Sequence, residues 1–318
     1  MSPDKLELRI RRILVALDAS EHSLAALDAA VTLASRLEAE LMGLFVEDEN
    51  LLRMADLPIT RQIGAFSAVI REFDRADVER ELRAQAAVAE RALTTAAERS
   101  RVAHTFQVRR GSVTSELLEA AADADLVSLG RLGWSHPGWR AVGSTAEAVM
   151  ERTRCPVLVL HRATYLALPF VTVYDGSEVS RRLVHSAASL AESMDGIVTV
   201  LVLDDGSGAI DSLAKGISEE LDEYGVPVRM RRLARTEAHS VVTAVHAEEG
   251  CGVLVLSTGS EWLTIGELRR ITRDVACPVL LVRPDSGDVV RSDEASVGVS
   301  KGEALAGEAG AAASSPAA

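Results

Sequence analysis

Short apolar runs of four to seven residues punctuate this chain, and between them lie longer stretches in which Ala and Leu recur at helical spacing. Ile13-Leu14-Val15-Ala16-Leu17 is the first run, 41–46, 125–129 and 155–160 follow, and a further strand is expected at 104–108. Runs without polar alternation predict strands buried on both faces of a parallel sheet. The intervening helical patterns (21–37, 79–101) predict the crossovers that parallel strands need. The pattern then restarts with runs at 170–174, 197–203, 226–230, 252–256 and 279–282, and a helix predicted over 178–194. Ile13 to Ser20 is answered by Phe170 to Ser177, each an apolar strand ending in Asp-x-Ser, and Cys155-Pro156-Val157 by Cys277-Pro278-Val279. A strand-by-strand repeat of this length means duplicated α/β domains, not a solenoid. The expected division is 1–165, 166–284 and a tail, 285–318, with a linker at about 162–167. The Ser, Gly, Asp, Glu and Ala of the tail cannot bury a core and predict disorder. One segment, 48–78, has no counterpart in the second half. It carries Met54, Pro58, Phe66, Ile70 and Phe73, and reads as a helical hairpin over the sheet or domain junction, or as a lid or partner-docking element.

Composition narrows the class. The chain has 318 residues, 47% of them hydrophobic but only 3% aromatic, so the core must be aliphatic. A formal charge of −13 argues against a nucleic-acid binder, which would show a basic face. No apolar stretch approaches the ~20 residues that span a bilayer, and 1–12 shows no signal-peptide pattern, so a soluble, cytoplasmic protein is expected. Three cysteines at 155, 251 and 277 form neither a close pair nor a metal spacing, and Cys155 and Cys277 read as reduced core residues. The seven histidines are scattered. There is no H-E-x-x-H or Walker spacing, and no lysine near the glycine loop described next. No enzyme active site is predicted.

The chemistry-bearing stretch is Gly130-Arg131-Leu132-Gly133, followed after nine residues by Gly143-Ser144-Thr145. It leaves an apolar strand and ends where a helical pattern starts. Glycines let backbone N–H groups approach an anion, and a helix N-terminus adds unpaired donors and positive dipole. Arg131 and Arg140 are candidate phosphate partners. In the loop, Trp134 and Trp139 could cover a nucleotide or pack against the neighbouring domain, and His136 reads as a loop residue. The same residues admit a purely structural account, in which Ser144 and Thr145 cap the helix and Gly130 is a tight strand exit.

Together with the Asp ending the first strand, the Cys-Pro-Val final strand and the repeat, these residues make the chain resemble the universal stress protein family in tandem form, over 13–162 and 169–284. Gly130, Gly133, Gly143 and Ser144 satisfy the family's G-x2-G-x9-G-S/T pattern. The resemblance implies two tandem open five-stranded parallel-sheet domains, Rossmann-like, with strand order 3-2-1-4-5 and helices on both faces. A ligand crevice would then lie between strands 1 and 4. It implies an adenine nucleotide (ATP, ADP or AMP): Asp18 against the adenosine, unless it caps the following helix, with Ala16 and Leu17 lining the base pocket and Val46 packing on adenine or ribose. Gly130, Gly133, Gly143, Ser144 and Thr145 would hold the phosphates. Mg2+ is an inference from phosphate chemistry, with Ser144 and Thr145 as its visible ligands. Ser20 is expected to be a helix cap.

In the second half, Gly259 is matched to Gly130, Trp262 stands where the second glycine belongs, the loop is about six residues shorter, and Glu267 follows Gly266. The expectation is asymmetric, with nucleotide in the first domain and the second serving packing. The final strands would pair across the junction, two tandem chains would form a homodimer, and an unidentified protein partner is expected. The implied function is a nucleotide-binding regulator of the stress response. The alternatives are a nucleotide-independent scaffold and a slow ATP hydrolase in which Asp18 or His136 orients water. The basic run Arg229-Met230-Arg231-Arg232, with Arg235, reads as an anion or partner site or as a solvated sheet edge.

Overall fold

A computed structural model describes residues 9–56, 61–63, 70–72, 74–132, 142–161, 166–204, 209–234, 238–248 and 252–284. In chain order the first half is β1 (Arg12–Ala16), α1 (Glu21–Leu37), β2 (Glu40–Asp48), α2 (Glu49–Ala55), β3 (Arg61–Ile63), β4 (Ile70–Glu72), α3 (Arg75–Arg99), β5 (His104–Gly111), α4 (Val113–Ala121), β6 (Leu126–Gly130), α5 (Ser144–Arg152) and β7 (Val157–Leu160). The second half is β8 (Phe170–Tyr174), α6 (Glu178–Ser193), β9 (Val198–Leu203), α7 (Ile210–Leu221) with a 3-10 turn at Asp222–Tyr224, β10 (Val228–Leu233), α8 (Ala238–Ala247), β11 (Val253–Ser257), α9 (Ile265–Asp274) and β12 (Val279–Val282).

Ten of these strands form one sheet in the order β10-β9-β8-β11-β12-β7-β6-β1-β2-β5. Counting each half's five sheet strands separately, both read third-second-first-fourth-fifth, and every neighbour within a half is parallel. The halves meet where β7 and β12 pair antiparallel, Val159 opposite Val279, Leu158 opposite Leu280 and Val157 opposite Leu281. The two open sheets expected from the sequence are therefore continuous, since each final strand offers an apolar edge that the other covers.

Two aliphatic layers sandwich this sheet. Residues of α1, α3, α6 and α7 pack on one face, and those of α4, α5, α8 and α9 on the other. The repeat extends to helix starts. Ser20 accepts from the Ser23 N–H at 3.2 Å and Ser177 from the Ser180 N–H at 3.1 Å, which supplies partners to first-turn donors that would otherwise lack one. Helix α3 begins at Arg75, earlier than the expected 79, because Asp74 caps it through the Ala76 N–H.

The segment unique to the first half differs from the expected helical hairpin. It is the short α2 and then a two-stranded antiparallel ribbon of β3 and β4, with Ile63 in register with Ile70. Pro58, Phe66 and Phe73 lie outside the described residues, as do most of the linker, Arg235, Cys251 and the 285–318 tail. The basic run of the second half sits on β10, an outer edge strand. Arg231 pairs with Glu248 at 2.8 Å and Arg232 with Asp211 at 2.7 Å, and charges along an edge discourage pairing with another sheet. Cys155 is half-buried and Cys277 buried, both as thiols, and desolvation pushes the Cys155 thiol up to about 11.

Candidate functional site: the crevice between β1 and β6

The chain leaves β1 for α1 on one face of the sheet and leaves β6 for α5 on the other, so neighbouring strands part at their carboxyl ends. Such a switch point opens a crevice that open α/β sheets use for ligands. The pairing of Ile13 with Leu126 and Val15 with Ser128 puts the ends of β1 and β6 side by side. Ala16 and Val46 are partly buried and pack against the same apolar cluster on the α4 and α5 face. Val113 and Val142 join them there. Sequence reasoning passed over both, although Val142 is an apolar residue directly before Gly143 and Val113 opens α4. Leu17 is placed differently, with its side chain 4% exposed in the opposite layer with α1 and α3. Its backbone N–H donates to the Leu44 carbonyl at 2.9 Å.

Asp18 organises the turn into α1. Its Oδ1 accepts from the Ser20 N–H at 3.0 Å, and its own N–H donates to Ser23 Oγ at 3.4 Å. Ala19 sits at φ 60° in this turn, a left-handed conformation that costs a residue with a Cβ. The second half repeats the device. Asp175 accepts from the Ser177 N–H at 2.9 Å and from Ser180 Oγ at 2.5 Å. Burial pushes its carboxyl up, but the hydrogen bonds outweigh burial and hold it below the usual carboxylate range. Ser20 is the cap of α1.

Gly130 is required for packing whatever the loop binds. A Cβ there would lie 2.7 Å from both the carbonyl carbon and the Cβ of His22, in the first turn of α1. The next residue, Arg131, is held by its main chain and its side chain. The Arg131 N–H donates to the Leu160 carbonyl at 2.7 Å, and its carbonyl accepts from the Gly143 N–H at 2.8 Å. Its guanidinium Nη1 donates to the Arg273 carbonyl of α9 at 2.8 Å. Gly133, Arg140, His136, Trp134 and Trp139 lie outside the described residues.

At the far end of the loop Gly143 is the N-cap of α5 and has no side chain with which to cap it. Ser144 is exposed and Thr145 half-buried in that first turn, where main-chain N–H groups lack helical partners. The equivalent end in the second half is closed. The Thr264 N–H and Oγ1 meet Glu267 Oε2 at 3.2 and 2.7 Å, and the Glu267 N–H returns to Thr264 Oγ1 at 3.3 Å, forming a capping box.

Strand register corrects how the two loops were matched. Gly130 stands opposite Leu160, and Ser257 opposite Val282, the equivalent end of β12. Ser257, not Gly259, therefore corresponds to Gly130, and Thr264, not Gly266, to Gly143. Matching by the nearest glycine slid the comparison by two residues. The expected difference in length survives, with twelve residues between Gly130 and Gly143 against six between Ser257 and Thr264. Gly259 has its own steric reason, since a Cβ there would lie 2.3 Å from Pro284 Cγ. Trp262 packs against the apolar cluster and Leu263 is buried, so the shorter loop lies down on the core. Among the described residues no cluster of three or more His, Cys, Asp or Glu could hold a metal, and no helix is long and apolar enough to cross a membrane.

Residues 9–161 match the sequence model of the universal stress protein family. Over those residues, its first half, the chain belongs to the universal stress protein family. A universal stress protein from Archaeoglobus fulgidus DSM 4304 superposes with a TM-score of 0.66 at 17% identity, covering 87% of this chain and 98% of that one. A protein of unknown function from Pseudomonas aeruginosa PAO1 gives 0.56 at 14% identity, covering 88% and 95%. Both extend across the two halves and share the fold. A universal stress protein solved in complex with cAMP covers 49% of this chain and 99% of its own at 21% identity, with a TM-score of 0.33. No curated protein matches the chain at a significant level.

Proposed function

We propose that this universal stress protein binds an adenine nucleotide, ATP, ADP or AMP, in the crevice of its first half and acts as a regulator in the stress response. The second half packs against the first and holds no nucleotide. The observation that carries the reading is the contrast between the two loop-to-helix junctions. Helix α5 has only Gly143 as its N-cap after a twelve-residue loop, whereas α9 is sealed by Thr264 and Glu267 after six. Phosphate would meet main-chain donors and a positive dipole end at α5. At α9 it would meet the carboxylate of Glu267. The base would lie against Ala16, Val46, Val113 and Val142, and Asp18, beside them, offers a carboxylate to ribose hydroxyls. Leu17 takes part through its backbone alone. Ser144 and Thr145 supply hydroxyls that fit Mg2+ carried in with a polyphosphate. A cytoplasmic protein that assembles further and docks a protein partner fits this reading. Any such assembly must use a surface other than β7 and β12, whose edges face each other.

Titration calorimetry of the full chain with ATP tests the proposal, with Ser144→Glu as the variant, because Ser144 is exposed and its replacement leaves the core alone. One site is expected in the wild type, and affinity at least about tenfold weaker in the variant, in which the side chain's own charge stands where phosphate would. Two equivalent sites, no binding, or unchanged affinity in Ser144→Glu would each refute it.

A further inference from the structure

The strands that end in the two loops are equivalent, yet the residues that follow them are not. Arg131 in the first half takes the place of Thr258 in the second, and both donate a backbone N–H to the end of the neighbouring last strand, at 2.7 Å to Leu160 and 3.2 Å to Val282. Arg131 does two further things. Its carbonyl ties down Gly143 at the start of α5, and its guanidinium reaches across to the second half, to the Arg273 carbonyl in the last turn of α9. His161, just past β7, approaches the adjacent Thr272 carbonyl with Nε2 at 3.2 Å. The carbonyls of a helix's last turn have no intrahelical partner and carry the negative end of its dipole. A guanidinium there satisfies both. The mouth of the first-half loop is thus fastened at three points, and the third belongs to the other half.

We infer that Arg131 is a positioning residue that couples the N-terminus of α5 to the C-terminus of α9, so that anion binding in one half is felt in the other. The inference rests on the reading of the crevice given above. In this role Arg131 need not touch phosphate. It holds Gly143, the N-cap of α5, against the end of β6. Linkage requires the effect to be mutual, because whatever free energy the anchor contributes to the arrangement of the α5 N-terminus that binds anion, binding there returns to the anchor. The second half is then part of the binding apparatus, although its own loop has no comparable cradle.

Hydrogen exchange of the full-length chain, read by mass spectrometry with and without saturating ATP, tests this in the wild type and in Arg131→Ala. In the wild type ATP is expected to slow exchange several-fold both at 142–152 and at 265–275. In Arg131→Ala the first effect persists, at an affinity about fivefold or more weaker, and the second disappears. Arg131→Lys, which keeps a donor of nearly the same reach, restores part of it. Protection confined to 142–152 in the wild type overturns the coupling and leaves the nucleotide site standing. Loss of all protection in a folded Arg131→Ala at saturating ATP makes Arg131 a phosphate ligand and equally overturns it. Absence of any ATP effect in the wild type overturns the nucleotide reading and this inference with it. The wild-type arm decides even if Arg131→Ala fails to fold.

Discussion

His161 offers a sharp test of how the two halves are joined. It is 8% exposed, and burial, reinforced by the charge of Arg131, pushes its imidazole down to about 4 from an ordinary 6.5, while the bond to the Thr272 carbonyl pulls the other way. A carbonyl only accepts, so Nε2 carries the proton of the neutral ring. In the unfolded chain the same histidine takes up a proton below about pH 6.5. Folding must then expel it, so the contribution of His161 is present above pH 6.5 and is lost as pH falls towards 4. Linkage over that interval gives a loss of about 2 kcal/mol between pH 7 and pH 5, at 1.4 kcal/mol per pKa unit. The variant His161→Gln isolates this contribution. Its amide still donates to the carbonyl but does not titrate. Urea unfolding at pH 7 and pH 5 should show the wild type losing about 2 kcal/mol more than His161→Gln. Equal losses in the two proteins would mean that the ring is solvated or already charged in the fold, and the argument from burial at the junction would fail.

Two further outcomes follow from packing. Gly130→Ala puts a methyl into the first turn of α1, where the nearest atoms include backbone. It should cost about 1–3 kcal/mol in denaturant unfolding, and an unchanged midpoint would show that α1 and β6 can part freely. With its thiol at about 11, Cys155 should resist alkylation in the native protein at pH 8 and react readily in urea, as read by peptide mass mapping. Comparable rates in the two conditions would contradict its burial.

Much of the architecture was legible because it rests on periodicity. Unbroken apolar runs such as Val157-Leu158-Val159-Leu160 can only be strands covered on both sides, and Asp-x-Ser before an Ala-rich stretch marks a helix start in both halves. The family pattern and the crevice followed from the same residues. What was not legible depended on contacts between distant parts of the chain. Leu17 and Ala16 are neighbours in sequence, but the two faces of a strand send one into the α1 layer and the other towards the crevice. Arg131 has the composition of a phosphate ligand, and only the fold shows α9 ending beside it. The register of Ser257 is set by β12, not by the glycine two residues on. The 48–78 segment misled because its apolar residues lack a clear period, and a short ribbon needs little periodicity.

The antiparallel seam between β7 and β12 also has a bearing on synthesis. Its partners are separated by more than a hundred residues, so on the ribosome the first half emerges with one bare apolar border, which must wait until β12 has been made before it is covered. During that delay a nascent Val-Leu-Val-Leu rim is open to any other unpaired strand, including that of a neighbouring nascent copy. Joining two modules in one polypeptide places the right partner within tethering distance, and cutting them apart would leave each with a rim seeking a match.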